Sequence, residues 1–202
     1  MNDYQGALVC VEGIDGAGTT TLVENLKNEH PQSLFTKEPS DGFYGKAVRD
    51  RLEKEDDPTP ADFYAFLADR YEHCENVIEP ALDSGQMVVS DRYALSTYAY
   101  QSKILDEELG LVNPIEYIDD MTYHFTIEPD LYIYLSIDVD TALERIETDD
   151  KYEKRENLKE AKRMYDHLSR QKDNVVSIPG HWDEKGILEE AKMWINNIDD
   201  RA

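Results

Sequence analysis

Cysteine is nearly absent from this 202-residue chain, which holds only Cys10 and Cys74. One lies in an apolar run and the other in a helical stretch. They read as two buried thiols in a reducing compartment, not as a disulfide framework or a metal site. Long hydrophobic runs are missing too. No stretch approaches the roughly 20 apolar residues of a membrane-spanning helix, and no basic region followed by an apolar one opens the chain. The expected setting is cytoplasmic, with no membrane partner.

Positive charge is the third scarcity. The 21 Lys and Arg face 44 Asp and Glu, a net charge of −23. Such a balance argues against nucleic acid and anionic membranes as partners. It does not imply disorder, because the 40% of hydrophobic residues fall in well-spaced runs. A folded domain with an acidic surface follows. That surface repels itself in dilute buffer and is screened in brine, since the Debye length falls from about 10 Å at 0.1 M to about 3 Å at 1 M. A salt-loving cytoplasm is the expected origin. The melting temperature should therefore climb as KCl rises toward molar levels, and a flat or falling curve would reject this reading.

Five apolar runs read as buried strands: Ala7–Val11, Ser33–Thr36, Met87–Ser90, Leu131–Ile137 and Asn174–Ile178. Longer amphipathic stretches separate them. One helix is expected over Ala61–Leu82, after Pro58 and Pro60, with Asp83-Ser84-Gly85 closing it. Another begins at Thr141–Ile146. Alternation of this kind predicts an α/β fold, a P-loop three-layer sandwich with a five-stranded parallel sheet and helices on both faces. Residues 1–202 form one domain. Ligands of such sheets bind at the carboxyl ends of the strands.

The most informative run is Gly13-Ile14-Asp15-Gly16-Ala17-Gly18-Thr19-Thr20-Thr21. A phosphate-binding loop follows the pattern G-x-x-x-x-G-K-[ST]. Gly13, Gly18 and Thr20 fit it, but the lysine slot holds Thr19. A strand precedes the run and a helix, Thr20–Lys27, follows it, as the motif demands. Glycines let backbone N–H groups turn toward phosphate oxygens, and the helix N-terminus adds partial positive charge. Residues Gly13, Asp15, Gly16, Ala17, Gly18, Thr19, Thr20 and Thr21 are thus the expected cradle for a nucleotide's phosphates. Thr20 offers a hydroxyl to Mg2+.

One segment breaks the acidic trend. From Lys151 to Lys172 lie Lys151, Lys154, Arg155, Lys159, Lys162, Arg163, Arg170 and Lys172, against Glu153, Glu156, Glu160 and Asp166. The later cations read as a solvated helix laced with ion pairs. Lys151, Lys154 and Arg155 open the segment after Asp149-Asp150, and read as cations for a polyphosphate ligand.

These pieces in this order resemble the thymidylate kinase family over nearly the whole chain. Val11 to Gly18 is similar to the family's start. Thr36-Lys37-Glu38-Pro39 is similar to its T-R-E-P, with lysine for arginine, and Phe66-Leu67-Ala68-Asp69-Arg70 to its F-x-A-[DN]-R. Val77 to Leu82, Ser90-Asp91-Arg92-Tyr93, Ser96-Thr97-Tyr98-Ala99-Tyr100-Gln101, Pro129 to Asp138 and Ala142-Leu143-Glu144-Arg145 complete the match. The glycine loop alone would name only a superfamily. The block from Asp91 to Gln101 is far more specific.

The resemblance implies transfer of the ATP γ-phosphate to dTMP, with Mg2+, in a homodimer formed through apolar positions around Tyr71 to Ile78. It implies that Phe66 stacks on thymine and Arg70 bonds a thymine carbonyl. Packing with Phe63 and Leu67 is the other reading of Phe66. It assigns Arg92 to the phosphates and Asp91 to magnesium, against an internal Asp91–Arg92 ion pair. Ser96, Thr97, Tyr100 and Gln101 complete the nucleotide pocket, with Tyr100 crowding a ribose 2′-hydroxyl unless it is simply core. Asp15 approaches the sugar hydroxyl, and Glu38 helps order the acceptor side. A lid near 147–158 carries the catalytic cation, because the loop has Gly16 and Ala17 where some members carry arginine. Two other outcomes remain open: a kinase for another nucleoside monophosphate, and a nucleotide-binding protein impaired by Thr19.

Overall fold

A computed structural model describes residues 4–53, 57–146, 152 and 154–199. Five parallel strands form one sheet: β1 (Leu8–Gly13), β2 (Leu34–Lys37), β3 (Val88–Asp91), β4 (Leu131–Ser136) and β5 (Val175–Pro179). Their spatial order is β2-β3-β1-β4-β5. All five runs read from the sequence are strands within a residue or two of their expected ends. The central β1 is buried along its whole length, which is why its sequence is apolar on both faces, with one exception at Glu12.

Helix α1 (Thr19–Glu29) leaves the glycine loop. Helix α2 (Phe43–Leu52) follows β2, and α3 (Pro60–His73) starts with Pro60 behind a Thr59–Asp62 capping box. The expected single helix to Leu82 is interrupted by a π-helical turn, Cys74–Ile78, before α4 (Glu79–Asp83). Pro80 has no N–H and its ring crowds the preceding turn, so the backbone widens just ahead of it. Beyond β3 come α5 (Ala94–Leu109) and α6 (Pro114–Thr122). Helix α7 (Val139–Arg145) follows β4, then come α8 (Arg155–Leu168) and α9 (Glu184–Asp199).

Helices α1 and α9 pack together on the sheet, and α5 packs with α8 on it. The α8 face that meets α5 is Leu158, Ala161, Tyr165 and Leu168, a helical repeat in an otherwise charged segment. Of the expected lid, residues 147–151 and 153 lie outside the described residues, Lys151 among them. No helix among the described residues is long and apolar enough to cross a membrane.

Candidate functional site

Strand β1 ends at Gly13 and α1 begins at Thr19, so the glycine loop spans the gap at the carboxyl edge of the sheet. Gly16 has φ +80°, and a Cβ there would sit 2.4 Å from the Ala142 carbonyl oxygen. The loop therefore presses on α7 with no room for a side chain at that position. Thr19 is buried, and its methyl would touch a Cβ placed on Gly13. Thr19 thus packs inward and brings no charge to the loop.

Thr20 Oγ1 donates to Asp91 Oδ2 at 2.6 Å. The other carboxylate oxygen, Asp91 Oδ1, is buried without a hydrogen-bond partner. An orphaned carboxylate oxygen beside a hydroxyl is a donor set that fits a hard divalent cation such as Mg2+.

Arg92 does not pair with Asp91. Its backbone follows β3 in the left-handed region, with φ +71°, while its N–H bonds the Val11 carbonyl. That conformation costs a non-glycine residue of order 1–3 kcal/mol. It turns the guanidinium toward the glycine loop, where Nη1 donates to the Gly13 carbonyl and Nη2 donates to Asp15 Oδ1 at 2.6 Å. Tyr100 completes the group. Its hydroxyl donates to Asp15 Oδ2 at 2.7 Å and accepts from the Asp15 N–H at 3.1 Å. Burial, then the Asp15 charge, pushes the Tyr100 phenol up. Tyr100 thus binds Asp15 and borders a cavity besides packing in the fold.

Two cavities meet at Asp15 and Arg92. The larger, about 690 Å³, lies over the glycine loop and reaches Arg145, Gly180 and Trp182. The smaller, about 160 Å³, is walled by Phe66, Arg70, Thr97, Gln101 and Tyr152, with Pro39 and Leu52. Phe63 and Leu67 are core, whereas half-buried Phe66 lines this cavity.

Arg70 is 2% exposed and needs an anion partner there. Glu38 supplies it, accepting from Nε at 3.0 Å and Nη2 at 2.5 Å. Arg70 Nη1 donates to Thr97 Oγ1 at 2.9 Å. Burial alone would raise the Glu38 carboxyl; the Arg70 charge and the bonds from His73 and Arg70 hold it below the usual carboxylate range. A guanidinium has five N–H donors, so Arg70 keeps donors for a ligand. Gln101 Nε2 donates to the Tyr152 hydroxyl at 3.1 Å, while Gln101 Oε1 is buried without a partner. Arg70 brings donors to this cavity and Gln101 a bare acceptor.

The described lid cations lie elsewhere. Lys154 pairs with Asp57 at 2.8 Å and Arg155 pairs with Asp140, and neither lines these cavities. Lys162 with Asp166 and Arg163 with Glu160 form the expected solvated helix pairs.

Sequence reasoning passed over Glu12 and Tyr165. Glu12 is fully buried and accepts from the Tyr93 and Ser96 N–H groups, from Ser96 Oγ at 2.6 Å and from Tyr165 at 2.9 Å. It ties Ser96 and the start of α5 to β1. Burial pushes its carboxyl up against those hydrogen bonds. The signal was present: an acid inside a buried strand must find partners. Tyr152, Arg145 and Trp182 gave no comparable signal.

A family model described as thymidylate kinase matches residues 11–189. The chain is similar to the probable thymidylate kinase of Halorubrum lacusprofundi, with 36% identity over 194 residues, covering 95% of this chain and 98% of that protein. It is also similar to that of Halobacterium salinarum, with 39% identity over 163 residues and 80% of each covered. These haloarchaeal relatives agree with the salt-adapted reading of the acidic surface. The structure of thymidylate kinase from Candida albicans shares the fold, with a TM-score of 0.82 at 21% identity, covering 100% of this chain and 96% of that one. By the family match over most of its length, the chain belongs to the thymidylate kinase family.

Proposed function

We propose that the protein transfers the γ-phosphate of MgATP to the phosphate of dTMP, giving dTDP. The observation that carries this reading is the place of Arg92, whose guanidinium borders both the glycine-loop cavity and the smaller acceptor cavity. ATP phosphates lie along residues 13–21, with its base toward Arg145 and Trp182. The dTMP phosphate approaches Arg92 from the other side. That phosphate is already an anion, so no strong general base is needed, and the protein's work is alignment and charge neutralisation. Thr20 and Asp91 would hold a magnesium ion, which would supply further charge neutralisation. Lys154 and Arg155 must leave Asp57 and Asp140 if lid closure over 147–158 is to bring them to the phosphates; Lys151 is the remaining lid cation.

Base selection follows from the small cavity. Thymine offers an N3–H donor beside carbonyl acceptors. Gln101 Oε1 takes the donor, Arg70 serves a carbonyl, and Phe66 stacks on the ring. Cytosine reverses both polarities at that edge and leaves buried groups unpaired, which costs about 1–3 kcal/mol. The thymine methyl has Pro39 and Leu52 to meet, and burying one such group is worth about 0.8 kcal/mol, or roughly fourfold over dUMP. The expected order is dTMP, then dUMP, with dCMP and purine monophosphates poor. The test is ADP release over these monophosphates, run from low to multimolar KCl. Equal turnover of dTMP and dGMP would sink the assignment.

Thr19 favours one other reading, a protein that binds nucleotides and no longer transfers phosphate. ADP release that stays at background for every acceptor and every salt concentration would select it. A homodimer through α3 and the π-helical turn fits the half-exposed Tyr71, which packs edge-on against Phe125, and sedimentation tests it. Two free, buried thiols suit the cytoplasm.

A further inference from the structure

The acceptor cavity depends on a residue that does not line it. His73 ends α3, three residues beyond Arg70 on the same helix face, and is 1% exposed. Its Nδ1 lies 3.1 Å from Glu38 Oε1 and its Nε2 lies 2.7 Å from Thr36 Oγ1. An ionised carboxylate only accepts, so Nδ1 carries the proton. Nε2 shares a hydrogen bond with the Thr36 hydroxyl, which can donate or accept. The ring thus bridges Glu38 and Thr36 through its two nitrogens.

The consequence lies at Arg70. Glu38 Oε2 receives Nε and Nη2 of Arg70, while Oε1 receives His73 at 3.1 Å and a longer contact from Arg70 Nε at 3.3 Å. A carboxylate held only by a guanidinium can swing with it. A third donor on Oε1, itself fixed to β2 through Thr36, stops that motion. Thr97 then holds Nη1 from α5. The plane of the Arg70 guanidinium is thus fixed from two elements, and its remaining N–H groups point along set directions.

We infer that His73 is a positioning residue for acceptor-base recognition, acting through Glu38 on Arg70. The inference rests on the reading that Arg70 bonds the acceptor base. His73 does not line the acceptor cavity itself. It determines whether Arg70 presents its donors in one orientation or in several. A buried polar network of this kind is specific only while every member is satisfied.

The test is steady-state kinetics of the full chain, with ATP and dTMP varied separately. His73→Leu removes the donor to Glu38, and the KM for dTMP is expected to rise about tenfold or more, as for loss of a hydrogen bond to a charged group. The kcat and the KM for ATP should change less than about twofold by the same reasoning, because the glycine loop and Arg92 are untouched. His73→Asn places an amide N–H near Nδ1 and should recover most of the loss. If His73→Leu does not fold, Thr36→Val keeps the imidazole and frees Nε2, and a several-fold rise in the same KM is expected. Arg70→Met is the reference. A normal dTMP KM in His73→Leu or in Thr36→Val, or equal rises in both KM values, overturns the proposal when Arg70→Met does raise the dTMP KM. An Arg70→Met variant with unchanged dTMP KM would instead overturn the base reading beneath it.

Discussion

Arg92→Met is expected to lower kcat by roughly a thousandfold or more, the effect of removing a cation that stabilises a phosphoryl-transfer transition state. Arg92→Lys should fall nearer to that variant than to the parent. A lysine carries the charge but not the fork, and here the two Nη groups have separate tasks on the Gly13 carbonyl and Asp15. The strained backbone at residue 92 makes sense in these terms. A φ of +71° at an arginine has a cost to the fold, and what it sets is the direction of the side chain toward the Gly13 carbonyl and Asp15. Both nucleotides should lose affinity together, since the guanidinium borders both cavities. A kcat within tenfold of the parent would remove Arg92 from the transfer step, and with it the main support for the proposed geometry.

The fold was legible because its strands are short, buried and bounded by turn residues. Each of the five apolar runs became a strand, and the glycine loop marked where β1 gives way to α1. The helix over Ala61–Leu82 was legible in existence but not in its interior. Periodicity cannot tell an α-turn from a π-turn, and Pro80 was the only hint of the change.

The site was legible where a residue's chemistry conflicted with its surroundings. Arg70 on an apolar helix face demanded an anion, and Glu38 is that anion. Glu12 posed the same demand inside β1 and was passed over, though Ser96 and Tyr165 answer it. Asp91 and Arg92 are adjacent in sequence, and an ion pair between them was a fair reading. The turn at residue 92 sends the two side chains apart, to Thr20 and to Asp15, and backbone conformation of that kind leaves no mark in composition. Tyr152 and Trp182 reach the cavities only through tertiary packing, so no local pattern could have named them, and Arg145 lay in a quoted motif that gave it no role.

Thr19→Lys is expected to raise kcat about tenfold or more, because it restores the ammonium that a phosphate loop brings to the β/γ-phosphates. Loop geometry should survive the change, since it is set by Gly13, Gly16 and Gly18. The Thr19 side chain packs beside Gly13, so the lysine must run along the loop toward the larger cavity. In the parent, the described cations bordering that cavity are Arg92 and Arg145. Arg92 already holds Asp15, and Arg145 donates to the Gly180 carbonyl at 3.2 Å, so each is partly engaged. If a lid cation fills that place after closure, the added lysine should give little, and the Met variant of Lys151, Lys154 or Arg155 that removes the cation should nearly abolish turnover. Each lid variant is therefore measured in both the parent and the Thr19→Lys background. Rescue of a dead lid variant by Thr19→Lys would identify the residue that replaced the lysine. No change in any of these chains would mean that no hidden cation serves this position, and would turn the weight of argument toward nucleotide binding without transfer.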